Sequence, residues 1–286
     1  MSAVEESGKP LPPPPRPPDV EVSIESLRQR PGQFLRSIGE IIRFSVRVVA
    51  ELPSVRLYAG EAFRQAGILI ISSGMVIWVM MIVIGQICGL ESHYLLQQVG
   101  APLYSGVFAS YCGLREAGPL IWGYILSAKV GCGIVAEIGS MRIADEVDAL
   151  EVMGIRSSVY LAGTRLVAAW IALPFIYLVG IGLLYLALYL TIVPQLGGVS
   201  KGGYLYIFWL FQSPFDLFAS LAKGMAMGTT IVLVAAYYGY YSSGGPVGVG
   251  RNTSKSMVFN LVMVHVISLL STALFWGFAA NAPIAN

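Results

Sequence analysis

Polar and apolar residues separate along this chain by whole segments rather than by single helical turns. Residues 66–90 and 166–193 contain no charged side chain, and 106–134, 217–239 and 256–280 contain very few. At 1.5 Å per residue the first of these would extend about 37 Å, enough to cross a hydrocarbon core about 30 Å thick. The pattern predicts an all-α polytopic membrane protein with five transmembrane helices. Gly118 and Pro119 would bend the second span locally, and Pro174 would kink the third. Ahead of them, residues 31–65 read as interfacial amphipathic structure. Arg36, Glu40, Arg43 and Arg47 fall within a narrow helical arc, and Leu35, Ile38, Ile42 and Val49 occupy another face. Residues 1–30, with a proline run at 10–18, suit a disordered cytoplasmic tail.

The segments between spans have their own signals. Glu91 and His93 mark a turn after the first span. Residues 194–215 read as a loop with an aromatic patch of Tyr204, Tyr206, Phe208, Trp209 and Phe211, suited to a membrane interface. The glycine-rich stretch 237–257 reads as a tight turn, and 281–286 as a short extracytoplasmic tail.

One segment breaks the pattern. Residues 136–155, AEIGSMRIADEVDALEVMGI, concentrate Glu137, Arg142, Asp145, Glu146, Asp148 and Glu151 between two apolar runs. Charge at that density does not rest in hydrocarbon. On a helix, Asp145, Asp148 and Glu151 share a face, and Ile143, Val147 and Leu150 lie roughly opposite. Ser140 is a candidate N-cap, and Gly154 is placed to end the helix in a left-handed turn. The expectation is a short amphipathic helix between spans two and three. It is either an ordinary loop helix or a surface offered to the Arg and Lys side chains of a partner.

Composition supports the membrane assignment. Charged residues make up 12% and hydrophobic residues 56%, with a mean hydropathy of +0.70, against about 25% charged in soluble domains. The net charge of +2 gives no sign of a nucleic-acid partner. The basic residues Arg142, Arg156, Arg165, Arg251 and Lys255 fall on the same side as the N-terminal arginines, and Lys201 alone on the other. By the positive-inside rule the N-terminus is then cytoplasmic and the C-terminus extracytoplasmic, in a cell membrane. Cys88, Cys112 and Cys132 sit in apolar runs without CxxC spacing. They read as small buried hydrophobes, with no metal site expected.

Several polar residues fall inside the predicted spans. Arg115 and Glu116 are adjacent, so they cannot pair with each other on a helix and each needs another partner. Lys129, Lys223, Asn260 and His265 are further candidates for an intramembrane polar network. Met75 and Trp78 could serve a soft lipid path or plain packing. There is no nucleophile–base constellation and no GxxxxGK[ST] phosphate loop. The chain is therefore expected not to be an enzyme and to bind no cofactor, and uphill transport would need ATP and Mg handled by another polypeptide.

Three strings carry a resemblance. They are AEIGSMRIADEVDALEVMGI, the preceding LREAGPLIWGYILSAKVGCG with Arg115, Glu116, Pro119 and Gly131, and YYGYYSSGGPVGVG from Tyr237. Together they resemble the MlaE/YrbE permeases of ABC-type lipid transporters, and most closely the B-type YrbE subunits of actinobacterial Mce systems. Lys129 stands where that family often has arginine, which keeps the charge but not the planar fork. The resemblance implies a membrane permease domain over 66–280 whose charged helix, about 140–154, is a cytoplasmic coupling helix docking on an ATPase. It further implies a second, A-type permease, a pair of ATP-binding cassette subunits, a hexamer of MCE proteins outside the membrane, and an apolar lipid as substrate. A non-transporting membrane anchor for such an assembly, or an intramembrane enzyme using His265 or Glu116, are the other readings.

Overall fold

A computed structural model describes residues 31–277. The expected tail at 1–30, the end of the fifth span and the tail at 281–286 lie outside the described residues. Among the described residues the fold is all-helical and includes five helices long and apolar enough to cross a membrane.

Helix α1 (Pro31–Ala50) is followed by a 3-10 turn at Leu52–Tyr58 and by α2 (Ala59–Gln98). The second span, α3, is continuous over Pro102–Ile143, and a short helix α4 (Glu146–Val152) follows. The third span, α5, covers Val159–Gln195. A further short helix, α6 (Lys201–Leu210), leads to the fourth and fifth spans, α7 (Pro214–Tyr240) and α8 (Gly245–Trp276).

The core lies among α2, α3, α5 and α7, and its largest fully buried side chains include Trp122, Tyr177, Ile77, Met81, Leu126 and Leu173. Backbones approach closely where side chains are small, as membrane helices require in the absence of a hydrophobic force between them. At Gly85 an added Cβ would meet the Leu184 carbonyl at 2.6 Å and the Ala187 Cβ at 2.9 Å, so α2 and α5 touch there almost backbone to backbone.

Several boundaries differ from expectation. Glu91 and His93 do not turn the chain: α2 runs through them to Gln98, and the turn falls at Gly100, whose φ is 74°. The reason is packing, since Ser92 and His93 are buried and the His93 ring fills the space beside Gly198. Residues 194–215 are not a loop. The Ser200 hydroxyl accepts from the Gly203 N–H and caps α6, which buries Tyr204 and Phe208 and leaves Tyr206 and Trp209 exposed. The turn expected over 237–257 is confined to Tyr241–Gly244, with Gly244 and Gly245 left-handed, and α8 begins eleven residues before the expected start at 256.

On α1 the face buried against the spans is Ile41, Phe44 and Val48, while Ile42 and Val49 are exposed. The helix thus has a protein-facing stripe beside an apolar stripe free to meet lipid. The three cysteines are free thiols, half-buried rather than fully buried.

Candidate functional site

Charge gathers at two levels of the span bundle. The first lies in the half of α3 that holds Arg115 and Glu116, within a π-helical stretch at Ala109–Ala117. Its cause is local. The Gly118 N–H bonds back to the Gly113 carbonyl, and Pro119 has no N–H, so the Leu114 and Arg115 carbonyls lose their ordinary i+4 donors. Helix α7 supplies replacements one turn apart. The Ser220 hydroxyl donates to the Leu114 carbonyl at 2.6 Å, and Lys223 Nζ to the Arg115 carbonyl at 2.9 Å.

The same lysine anchors a three-helix network. Its ammonium, wholly inaccessible, pairs with Glu116 Oε2 at 2.9 Å and donates to Thr272 Oγ1 on α8 at 2.9 Å. Ser268 Oγ donates to Glu116 Oε2 at 3.0 Å, and the Thr272 hydroxyl bonds the other carboxylate oxygen. Arg115 reaches the opposite way, to Asp216 Oδ2 at 2.8 Å, and stacks over the Tyr111 ring at 3.9 Å. Trp276 Nε1 donates to Asp216 Oδ1 at 2.7 Å. Adjacent in sequence and turned apart on the helix, Arg115 and Glu116 each find the separate partner that their spacing demanded.

His265 is not joined to this network by a bond. Its Nε2 is 2.6 Å from the Tyr124 hydroxyl, bridging α8 to α3 elsewhere. Asn260 is fully buried beside Gly131, and its amide has no hydrogen-bond partner. Trp78 donates its indole N–H to the Ile176 carbonyl at 3.1 Å, whereas Met75 is exposed on α2.

The second level is the end of the bundle where α3 finishes and α5 begins. The charged segment does not form one helix. Ala136–Ile143 continues α3, so Ser140 is no N-cap, and its hydroxyl donates to the Glu137 carbonyl. The chain then turns at Asp145, left-handed at φ 58°, into α4. Gly154 ends the element with φ 76°, as its position predicted.

Val147 is fully buried and Leu150 half-buried, which fixes the inner face of α4. Arg142 reaches Asp148 at 2.5 Å, and Glu151 Oε1 accepts from the hydroxyls of Ser157 at 2.6 Å and Tyr240 at 3.1 Å. These contacts tie the small helix to α3, to α7 and to Ser157, two residues ahead of α5. Glu137 lies apart, paired at 2.7 Å with Arg165 of α5. What α4 leaves open is Glu146, Ala149 and two apolar side chains, Val152 at 89% and Met153 at 65% exposure.

Sequence reasoning missed several participants. Ser220, Ser268, Thr272 and Trp276 join the buried network, and Val152 and Met153 join the exposed end. A hydroxyl or an indole in a span is too common to stand out alone.

A helical membrane protein with spans cross-tied by buried ion pairs and a short helix held out at one end has the build of a permease. Residues 62–274 match the family described as Permease MlaE, and the chain belongs to that family. It is 28% identical over 251 residues to a probable ABC transporter permease protein of Rickettsia bellii, covering 88% of this chain and 96% of the relative. A probable ABC transporter permease protein of Synechocystis is 29% identical over 180 residues, 62% of this chain and 68% of that one. The chloroplastic protein trigalactosyldiacylglycerol 1 of Arabidopsis thaliana is 26% identical over 170 residues, 59% of this chain and 48% of that one.

Proposed function

We propose that this chain is the permease subunit of a heteromeric Mce-type ABC transporter that imports apolar lipids: fatty acids, phospholipids or sterols. It works with a second, A-type YrbE permease, a pair of ATPases that use ATP and Mg, and a hexamer of MCE proteins outside the membrane. The N-terminus and α4 face the cytoplasm. Membership of a permease family supports a transport role, and the Arabidopsis relative carries the name of a glycolipid.

The observation that carries the coupling role is the mounting of α4. Buried Val147, the Arg142–Asp148 pair and the Glu151–Ser157–Tyr240 contacts fix it to two spans and to the segment that leads into the third. A force applied to it would pass directly into α3 and α7, and through that segment into α5. Its free side combines acidic Glu146 with exposed Val152 and Met153, an apolar centre with a charged rim of the kind protein interfaces use. Asp145 and Asp148 add charge beside it, with Asp148 also serving the internal tie to Arg142. Glu137 and Arg142 act from behind, as supports rather than contacts.

The test replaces Val152 and Met153 together by Asp. The protein should insert at normal level, while lipid uptake and transporter-stimulated ATPase activity fall by about tenfold or more, as the loss of a central apolar anchor would produce. Undiminished uptake at equal expression overturns the coupling role.

A further inference from the structure

A cavity of about 540 Å³ opens at the α4 end of the bundle. It is walled by the end of α1, the segment that joins α4 to α5, and the end of α7, and its size suits a small organic ligand. Glu146, Val152 and Met153, the free side of α4, do not line it.

Four charged groups line this cavity, and none pairs with another among the described residues. Arg47, exposed on α1, makes no side-chain hydrogen bond or ion pair within the described residues. Arg156, also exposed, donates to the Ser54 hydroxyl at 3.0 Å and leaves its other N–H groups unused. Glu51 Oε2 accepts from the Ser158 hydroxyl at 3.3 Å, and Glu151 uses Oε1 for Ser157 and Tyr240. The second oxygen of each carboxylate is left without a protein donor. A simple anion drawn to the arginines is repelled by the carboxylates, and a simple cation meets the reverse. A ligand with a phosphate at one end and hydroxyl donors further along satisfies both sets.

The aromatic wall adds a third requirement. Tyr241 directly follows α7 and is 52% exposed. The rings of Phe44, Tyr237 and Tyr240 stand 6.0, 5.0 and 5.2 Å from it, at interplanar angles of 72°, 54° and 75°. They brace the Tyr241 ring at a tilt and none lies flat on it, so a face is open to stacking. Any nucleobase offers a flat partner for such a face. Guanidinium groups grip phosphate, and a carboxylate accepts from ribose hydroxyls.

We infer that this cavity binds a nucleoside phosphate. Its phosphate lies between Arg47 and Arg156, its base on Tyr241, and its ribose hydroxyls on the free oxygens of Glu51 and Glu151. The bound ligand joins α1 to the α4–α5 segment and to the end of α7, so its presence stiffens the mount of α4. The site needs only these residues and stands whether or not α4 meets an ATPase.

The experiment uses the full-length protein in phosphatidylcholine nanodiscs, free of any ATPase, and measures binding of tritiated ADP by equilibrium dialysis. Binding should saturate at about one ADP per chain, and AMP should compete, since both carry base, ribose and phosphate. Arg47→Gln should weaken binding by about tenfold, the equivalent of one lost charge-assisted contact, and Arg47→Lys should recover part of it. Arg47 is exposed and unbonded, so its variants leave the fold intact. Tyr241→Ala should weaken binding by a similar factor, whereas Tyr241→Phe keeps the ring and should bind as the natural protein does. Absence of saturable binding overturns the inference, and so does unchanged binding in both Arg47→Gln and Tyr241→Ala. Displacement of ADP by inorganic phosphate as readily as by AMP marks a site for a free anion and overturns it too.

Discussion

The two charge levels of this protein use similar residues in opposite ways. In the Arg115–Glu116 level, Lys223 is wholly inaccessible, Asp216 is 2% exposed, and Lys223, Glu116 and Asp216 are each hydrogen-bonded to two other helices. In the α4 level, Arg142 and Asp148 are 34% and 57% exposed, and Glu146 projects outward. The first level removes Lys223 and Asp216 from reach, leaves Glu116 42% exposed, and spends its charge on joining α3, α7 and α8. The second holds a helix in position and leaves its outer face unused by the chain itself. Burial, rather than the kind of residue, separates a structural ion pair from a surface prepared for a partner.

The largest effect should come from Lys223→Met. It removes the partner of Glu116 and the donor to the Arg115 carbonyl together, and breaking a buried pair from one side costs about 3–5 kcal/mol. The lower end applies, because the Glu116 side chain retains 42% exposure and keeps Ser268 and Thr272 as donors. Thermal unfolding of the purified protein checks this. The double variant Lys223→Met with Glu116→Gln should recover most of the loss, since the remaining amide needs no counter-ion. A double variant no more stable than the single one would show that the network is not an ion pair in the energetic sense.

A smaller loss, about 2–3 kcal/mol, is expected for Asp216→Ala, because Arg115 then lacks its carboxylate in a nearly closed site. Stacking on Tyr111 and Trp276 remains and limits the damage. Asp216→Asn should fall between this variant and the natural protein, since an amide oxygen can still accept from Trp276. If Asp216→Ala unfolds at the natural temperature, the carboxylate adds nothing to the holding of Arg115.

How much of this was legible in the sequence depends on the kind of signal. Long apolar runs with few or no charges predicted five spans, because a helix satisfies its whole backbone within one segment in lipid. The adjacency of Arg115 and Glu116 established that each needs another partner, because helical geometry alone forbids their pairing. Which partners they find could not be read, since Asp216 and Lys223 become neighbours of α3 only through helix packing. The π-helical turn was half legible: Pro119 announced a lost donor, but nothing announced that Ser220 and Lys223 would replace it. The division of 136–155 between α3 and α4 was missed because Ser140 and Asp145 are both good cap residues by type. The left-handed backbone at Asp145 decides between them, and that is a property of the fold.

The smallest expected effect lies in the Arg142–Asp148 pair, and it is the sharpest test of the contrast between the levels. Exposed ion pairs contribute about 0.2–1 kcal/mol, since solvent screens the attraction and two long side chains must be ordered. A double-mutant cycle of Arg142→Ala and Asp148→Ala should return a coupling energy in that range, decreasing as salt is added. The same cycle at Glu116 and Lys223 should return a larger coupling with little response to salt, because Lys223 has no contact with the bath. If the α4 pair instead proved strong and insensitive to salt, α4 would be cemented to the bundle by electrostatics. If the two cycles agreed in size and salt response, burial would not be what distinguishes the levels, and the exposed face of α4 would lose its claim to be the surface kept for a partner.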